Sequence, residues 1–378
     1  MTPRPDQPLR IVHAVRAPVG GIIRHILDLA NGQADRGHQI ALITDSLTGG
    51  ERAEAALAEI APRLKLGLYR MPIRREPSPS DLVMWGRFAR LIGELKPDVL
   101  HGHGAKAGVF MRIVPRPPHA IRVYTPHGGS LHYPKTTLKG QLYSRMERLL
   151  MNRTELFLFE SEFARRTYER MIGTPNGLVR CVFNGVTAGE FDPIKLAEDA
   201  TDVAYVGEFR KIKGADLLID AIAKLRADGR RLTLTLGGDG EESEALRAQV
   251  SRLGLSEAVR FVGHVKARAG FANGRLLVVP SRGDSMPYVV IEAAAAGVPM
   301  VAANVGGIPE IFGPQHADAL FAPSQHAAMA DAITAALDHL PAAQERARVL
   351  RERIFLHFSQ KAMVEGVLSG YRDAFIDR

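Results

Sequence analysis

Two carboxylates eight residues apart, Asp284 and Glu292, are the strongest chemical feature of this sequence. Both lie in the run from Pro280 to Pro299, Asp284 in a loop after a strand-like stretch and Glu292 near the start of a helical one. An ionised carboxylate only accepts hydrogen bonds, and a helix N-terminus favours its charge, so this pair suits a hydroxyl-rich ligand. Taken in isolation, the same residues also read as a helix with an acid in its first turns.

Glycines supply the second kind of chemistry. Gly20 and Gly21 stand between the first strand-like run and the first helical one, where backbone amides and the positive end of a helix can approach a pyrophosphate. A tight turn that needs a positive φ explains them equally well. Gly102-His103-Gly104-Ala105-Lys106-Ala107 matches the dinucleotide fingerprint G-x-G-x-x-[GA] after a strand. That fingerprint needs an acid about 20 residues on, at the end of the next strand, to hold the ribose. Here that strand runs into Pro126-His127-Gly128, which argues against a nicotinamide or flavin site. Gly238-Asp239-Gly240 fails similarly, with Ser243 in the last position. His103 and Lys106 still sit where loops at the carboxyl ends of α/β strands collect ligands, so Lys106 reads either as a phosphate contact or as a solvated lysine.

These residues need a scaffold, and the chain alternates short apolar runs with helical patterns. Strands are expected at 9–15, 39–44, 99–101, 122–125 and 155–160, with helices near 22–30, 81–95, 135–152 and 162–172. A second series follows Asn184 and Gly185: strands at 202–206, 232–236, 259–262, 276–279 and 299–302, separated by helices at 214–228, 241–252 and 288–296. Alternation of this kind predicts parallel sheets, and 378 residues exceed what one core usually serves, so two α/β domains are expected. The acidic stretch 186–201, with Pro193, reads as the linker.

Composition limits the function classes. The chain is 24% charged and 46% hydrophobic, which excludes disordered and fibrous types. Its one cysteine, Cys181, can form neither an internal disulfide nor a thiol metal cluster. The first thirty residues, with Pro3, Pro5 and Asp6, lack the pattern of a secretion signal. The longest apolar stretch, 289–308, is too interrupted to span a bilayer. Residues 1–180 hold 27 basic and 16 acidic residues, so the net charge of +8 belongs to the first half. Such a half can serve nucleic acid, an anionic membrane surface or an anionic substrate. A single Trp and no aromatic–basic interleaving disfavour nucleic acid. Residues 135–153 interleave Lys135, Lys139, Arg145, Arg148 and Arg153 with Leu138, Leu142, Met146, Leu149, Leu150 and Met151, a basic amphipathic pattern that fits a membrane surface.

The passage from Pro280 to Pro299, followed by Val305-Gly306-Gly307-Ile308-Pro309-Glu310, resembles the E-x7-E segment of family 4 retaining glycosyltransferases. Gly20-Gly21, Thr125-Pro126-His127-Gly128, Ser161-Glu162-Phe163-Ala164, Asn184-Gly185-Val186, Val206 to Arg210, Lys213-Gly214 and Gly237 to Gly240 fall in that family's order. The resemblance spans roughly residues 9–312. It implies the GT-B fold, two Rossmann-like α/β domains facing across a cleft: 1–185 for the acceptor, 186–353 for the nucleotide sugar, and a C-terminal helix, 354–378, crossing back to the first domain.

By the same resemblance, Glu292 accepts hydrogen bonds from the donor ribose and Asp284 from the donor sugar, although the family usually carries Glu at the first position. Arg210 and Lys213 face the donor phosphates, with Glu208 standing where many members have the arginine. Gly20, Gly21, Met286, Pro287, Tyr288 and Val289 line the donor, Pro287 having no amide to give. His127 lies near the transferred sugar, and His103 and Lys106 meet the acceptor. The implied activity is metal-independent, retaining transfer of a hexose from a UDP- or GDP-linked donor, without other cofactor. The acceptor is a glycan or polyprenyl-pyrophosphate-linked sugar of bacterial surface polysaccharide biosynthesis, and the expected location is the cytoplasm, with the basic amphipathic pattern at 135–153 allowing a peripheral place on the inner face of the cytoplasmic membrane. No Asp-x-Asp pair, the signature of metal-dependent transferases of the other fold, occurs. The alternatives are a nucleotide-sugar epimerase of the same fold and an inactive nucleotide-sugar-binding relative.

Overall fold

The computed structural model describes residues 7–128 and 136–377. Pro3, Pro5, Asp6 and Lys135 lie outside the described residues. The chain divides into two compact units, one running to Gly185 and resuming at Gln360, the other from Val186 to Ser359.

The first unit is built on seven strands: β1 (Arg10–Val15), β2 (Gln39–Asp45), β3 (Gly67–Met71), β4 (Val99–His103), β5 (Ile121–Thr125), β6 (Leu156–Phe159) and β7 (Leu178–Cys181). They run in the order β3-β2-β1-β4-β5-β6-β7, each parallel to its neighbours. Successive side chains of a strand point to opposite faces, and both faces here are covered. Ile11 and Val15 pack with Ile26 and Leu29 of the helix Gly20–Asp35 and with Val364 and Val367 of the helix Gln360–Ile376. Val12 and Ala14 pack instead with Phe88 and Phe110, whose rings stack at 4.9 Å.

The second unit repeats the plan with β8 (Thr201–Val206), β9 (Leu234–Gly237), β10 (Val259–Gly263), β11 (Gly274–Val279), β12 (Met300–Ala303) and β13 (Leu320–Phe321), in the order β10-β9-β8-β11-β12-β13. Leu218, Ile219 and Ile222 of the helix Ala215–Ala227 bury against Leu234, Leu236, Leu276 and Val278. In each sheet the order reverses beside the first strand, between β1 and β4 and between β8 and β11. Loops at the carboxyl ends of such a pair diverge and leave a crevice that binds ligands in open α/β sheets.

Two expectations need correction. The stretch 186–201 is not a free linker. Val186 N–H donates to Phe358 O at 2.8 Å, and Arg268 donates to the carbonyls of Glu190 and Asp192 at 2.9 and 2.8 Å, so the segment packs on the second unit. The returning helix starts at Gln360 rather than 354. Residues up to His357 finish the helix Leu340–His357, whose end is fixed by the fully buried Phe358.

Candidate functional site

In the second unit, the residues singled out from sequence gather at the carboxyl ends of β8 and β11. The turn after β8 carries Arg210 and Lys213, and the loop after β11 carries Asp284. Lys213 Nζ donates to Asp284 Oδ2 at 2.6 Å, and Ser281 Oγ donates to the same oxygen at 3.4 Å. Behind this contact Arg282 clasps Asp216, Nη1 donating to Oδ1 at 2.7 Å and Nη2 to Oδ2 at 2.8 Å, while its backbone N–H donates to Ile212 O at 2.8 Å. Burial works to raise the Asp216 pKa, but hydrogen bonds from Arg282 and Lys211 outweigh it and hold the carboxyl below its ordinary range. The clasp ties the 211–216 turn to the 280–284 loop and thereby sets Lys213 against Asp284.

A third loop completes the support. Gly307 N–H donates to Asp284 O at 3.1 Å, and Gly306, at φ +61°, approaches so closely that a Cβ there would lie 1.5 Å from that carbonyl oxygen. Only glycine fits. Arg210 is half-exposed, with its guanidinium 3.7 Å from Glu208 and 3.9 Å from Glu241, too far for hydrogen bonds, so its donors face solvent. Glu292 is buried on the helix Tyr288–Ala295, which Pro287 precedes in extended conformation. Met286, Pro287 and Tyr288 are buried and Val289 is half-buried, so what this helix start offers an anion is its first-turn N–H groups.

In the first unit, Gly20 and Gly21 are exposed at the start of the helix after β1, and Gly20 alone has a positive φ, +61°. The dinucleotide-like glycines have a packing explanation: a Cβ on Gly102 would lie 2.7 Å from Gly108 Cα, and one on Gly108 would lie 2.3 Å from the Tyr124 ring. Lys106 is committed, paired with Asp81 and donating to Glu76 O at 3.3 Å. His127 adopts the left-handed backbone, φ +48°, a conformation uncommon for non-glycine residues and shared here by Lys96 and Ser324.

His127 does not stand alone. Its Nε2 lies 3.0 Å from His103 Nδ1; His103 Nε2 lies 3.0 Å from His13 Nδ1; and His13 Nε2 lies 2.8 Å from Gln33 Oε1. His25 stands beside this row, its ring 5.0 Å from that of His127 and its Nδ1 2.9 Å from Asn184 Oδ1. His101 bonds Tyr371 Oη and Thr125 Oγ1, both at 2.8 Å. Burial lowers the pKa of His13 and His25 to about 4, against partial support from Gln33 and Asn184. Burial, then neighbouring imidazoles, push His101, His103 and His127 well below the ordinary histidine value. All five rings are therefore neutral at pH 7.

Sequence reasoning gave roles to His103 and His127, met Asn184 only as part of a motif, and missed His13, His25 and Gln33. The available signal was register. His101 and His103 alternate on β4 and so share a face, and the parallel pairing sets His13 of β1 opposite His101.

Residues 19–189 match the family model described as Glycosyltransferase Family 4, and residues 200–339 the one described as Glycosyl transferases group 1. The glycogen synthase of Mycobacterium tuberculosis is 24% identical over an alignment of 381 positions that covers 93% of this chain and 91% of that protein. The sucrose-phosphate synthase of Thermosynechococcus elongatus superposes with a TM-score of 0.79 at 20% identity, covering 98% of this chain and 100% of its own. The Anabaena protein HepE, solved in complex with UDP, gives a TM-score of 0.79 at 20% identity over 97% of this chain and 100% of its own.

Proposed function

Because this chain is a family 4 glycosyltransferase of the GT-B fold, we propose that it transfers a hexose, with retention and without a divalent metal, from a nucleoside-diphosphate sugar to a lipid-linked glycan. The observation that carries this reading is the convergence of Arg210, Lys213 and Asp284 at the carboxyl ends of β8 and β11. Two cations and a carboxylate held within one set of loops suit a sugar diphosphate: charge for the phosphates, an acceptor for the hydroxyls. UDP, the ligand of HepE, is the first nucleotide to try.

In this reading Arg210 and Lys213 stabilise the departing diphosphate in place of a metal ion, the N–H groups at the start of the helix Tyr288–Ala295 support them, and Glu292 holds the ribose. Asp284 orients the sugar through its hydroxyls. The bond from the anomeric carbon to phosphate breaks as the acceptor oxygen attacks the same face, and the acceptor's proton passes to the departing phosphate oxygen. No enzyme nucleophile is required. His127 contacts the transferred sugar as a neutral imidazole, with Gly20 and Gly21 beside the donor. Lys106 faces the acceptor and meets an acceptor phosphate only by exchanging Asp81 for it, whereas His103, expected beside it, is enclosed and reaches the site only through His127.

A membrane-bound acceptor is supported by Leu138, Leu142 and Leu149, all exposed on the helix Leu138–Met151 beside exposed Arg145. No helix among the described residues is long and apolar enough to cross a membrane, so the proposed association is peripheral, at the inner leaflet. Calorimetric titration of UDP and GDP, with and without chelator, into the wild type and the Arg210→Ala and Glu292→Ala variants tests the donor site. Chelator-insensitive binding of one diphosphate, weakened in both variants, is the expected result. Binding of neither nucleotide overturns the assignment.

A further inference from the structure

The histidines of the first unit exceed what sugar transfer needs, and their arrangement has a chemistry of its own. One ring nitrogen from each of His25, His103 and His127 lies within 4.8 Å of the others, and the same holds for His13, His101 and His103. The two groups differ in what their nitrogens already do. In the second group both nitrogens of His101 are engaged by Tyr371 and Thr125, both of His13 by Gln33 and His103, and all three rings are fully enclosed. With one nitrogen taken from each ring, a cation there would break at least two hydrogen bonds, and no ring of the three is exposed to admit it.

The first group loses a single hydrogen bond, the 3.0 Å contact between His103 Nδ1 and His127 Nε2. Zinc–nitrogen bonds of about 2.0–2.1 Å place two tetrahedral ligands about 3.4 Å apart, so this pair needs to open by only a few tenths of an ångström. The outer contacts match those of metal-bound histidines, whose second nitrogen is held by an acceptor that fixes the ring. His25 Nδ1 is held by Asn184 Oδ1, which leaves Nε2 to ligate. His103 Nε2 is held by His13 Nδ1, with Gln33 Oε1 behind it. His127 is the one ring of the three that is partly exposed, so a cation and its fourth ligand would have to reach the group from that side.

We propose that His25, His103 and His127 form a three-histidine site for a divalent cation of the zinc class, with Asn184 and His13 fixing two of the rings. Soft-to-borderline nitrogen ligands without a carboxylate select zinc, cobalt, nickel or copper over magnesium and calcium. Binding releases no proton from the rings. With His103 Nε2–H donating to His13, the proton shared with His127 lies on His127 Nε2, and His127 needs only to carry it on Nδ1 instead. This site is separate from the donor phosphates, which keep Arg210 and Lys213. Resting on the reading that His127 contacts the transferred sugar, an occupied site holds that ring on the metal and inhibits transfer.

The test uses untagged full-length protein stripped with chelator and dialysed. Cobalt is titrated and its visible ligand-field bands followed, and zinc binding is measured by calorimetry. One equivalent of cobalt with tetrahedral-type bands, displaced by zinc, is expected. Affinity should fall at least tenfold in His25→Gln and in His127→Ala, with folding checked by near-ultraviolet circular dichroism, and should persist in His101→Gln. Absence of a saturable one-equivalent site overturns the proposal. So does binding retained in folded His127→Ala and lost in His101→Gln, which moves the metal to the enclosed group. Transfer assays with added zinc form a separate arm. A protein that binds cobalt as expected but transfers no sugar sinks the donor reading alone.

Discussion

Lys213 and Asp284, 71 residues apart in sequence, meet at 2.6 Å, so the cation proposed for the donor phosphates and the carboxylate proposed for the donor sugar hold each other before any donor arrives. Such pairing fixes both side chains and reduces the ordering that a ligand must impose. Lys213→Ala should weaken binding of the nucleoside diphosphate about tenfold, equivalent to about 1.4 kcal/mol. UDP and GDP have no sugar for Asp284 to hold. Asp284→Ala should therefore lower turnover of the sugar donor at least a hundredfold while changing diphosphate affinity by less than threefold. Calorimetry and initial rates on the two variants separate these effects, and equal losses of diphosphate affinity in both would refute the division of labour.

Gly306 and Gly283 make a matched pair of tests near the same carboxylate. A methyl group on Gly306 collides with Asp284 O at 1.5 Å and sits on a left-handed backbone, whereas one on Gly283 makes ordinary contact with the Ile212 side chain, at 3.5 Å from Cδ1 and 3.8 Å from Cγ1. Gly306→Ala should cost roughly 1–3 kcal/mol in stability and displace the Asp284 loop, with turnover falling along with it. Gly283→Ala should stay within about 0.5 kcal/mol of wild type. Urea unfolding midpoints read both values, and a neutral Gly306→Ala would mean that the 305–307 loop does not support Asp284.

What was legible in the sequence follows from burial. Interior strands such as Ile40 to Ile43 and Leu276 to Val279 are covered on both faces and read as continuous apolar runs. Three of the four edge strands were not legible. β3 and β7 are only half-covered and contain Arg70 and Arg180, and β13 has two residues. The donor-side residues were visible because they cluster in two short motifs. Their clasp, Arg282 to Asp216, was not, since nothing in either motif shows which loop the other faces. The histidine group was hidden for the same reason: its members come from β1, the helix Gly20–Asp35, β4 and the turn after β5, and only parallel register brings them together.

Acid should unfold this protein earlier than its carboxylates alone require. His13 and His25 titrate at the ordinary 6.5 when unfolded and at about 4 when folded. Between these values the unfolded chain binds protons that the native one refuses, so stability is complete above pH 6.5 and declines as pH falls toward 4. Each group contributes up to about 1.4 kcal/mol per pH unit in that window. Urea midpoints measured from pH 7.5 to 4.5 should show a loss near pH 5 corresponding to an uptake of about two protons or more, reduced by about one in His25→Gln. A flat profile down to pH 4.5 would show that the rings are not held neutral.

A buried ion pair anchors the helix Leu138–Met151. Arg112 NH2 and Glu147 Oε2 lie 2.8 Å apart with no exposure, the guanidinium stacks 3.8 Å from the Tyr124 ring centroid, and Tyr124 Oη donates to Glu147 Oε1 at 2.9 Å. Removing one partner strands a charge in the interior, so Glu147→Gln should destabilise by about 3–5 kcal/mol. Replacing both, Arg112→Met with Glu147→Leu, should recover most of that loss. Thermal and urea unfolding of the three proteins decide it, and a double variant as unstable as the single one would point to lost packing rather than an unpaired charge.

That anchor leaves the opposite side of the helix exposed among the described residues. The apolar residues expected to form one amphipathic face divide instead: Leu150 and Met151 are buried beside Glu147, while Leu138, Leu142 and Leu149 are 85%, 61% and 75% exposed. Their spacing of four and seven places these three leucines on one stripe with exposed Arg145, whereas Arg148 is tied back by a 2.6 Å hydrogen bond to Ile172 O. Exposed leucines beside a basic residue suit the boundary between headgroups and acyl chains, where apolar burial and attraction to anionic lipid add. Inserting each leucine is worth up to roughly 1.5–3 kcal/mol, so Leu142→Ser with Leu149→Ser should weaken co-sedimentation with anionic vesicles at least tenfold. Since both side chains are already exposed, the thermal midpoint should not move. Arg145→Gln should weaken binding to anionic vesicles and leave the residual binding to neutral ones unchanged. Co-sedimentation insensitive to anionic lipid and to the leucine pair would leave the stripe without a membrane role and the acceptor to be sought among soluble glycans.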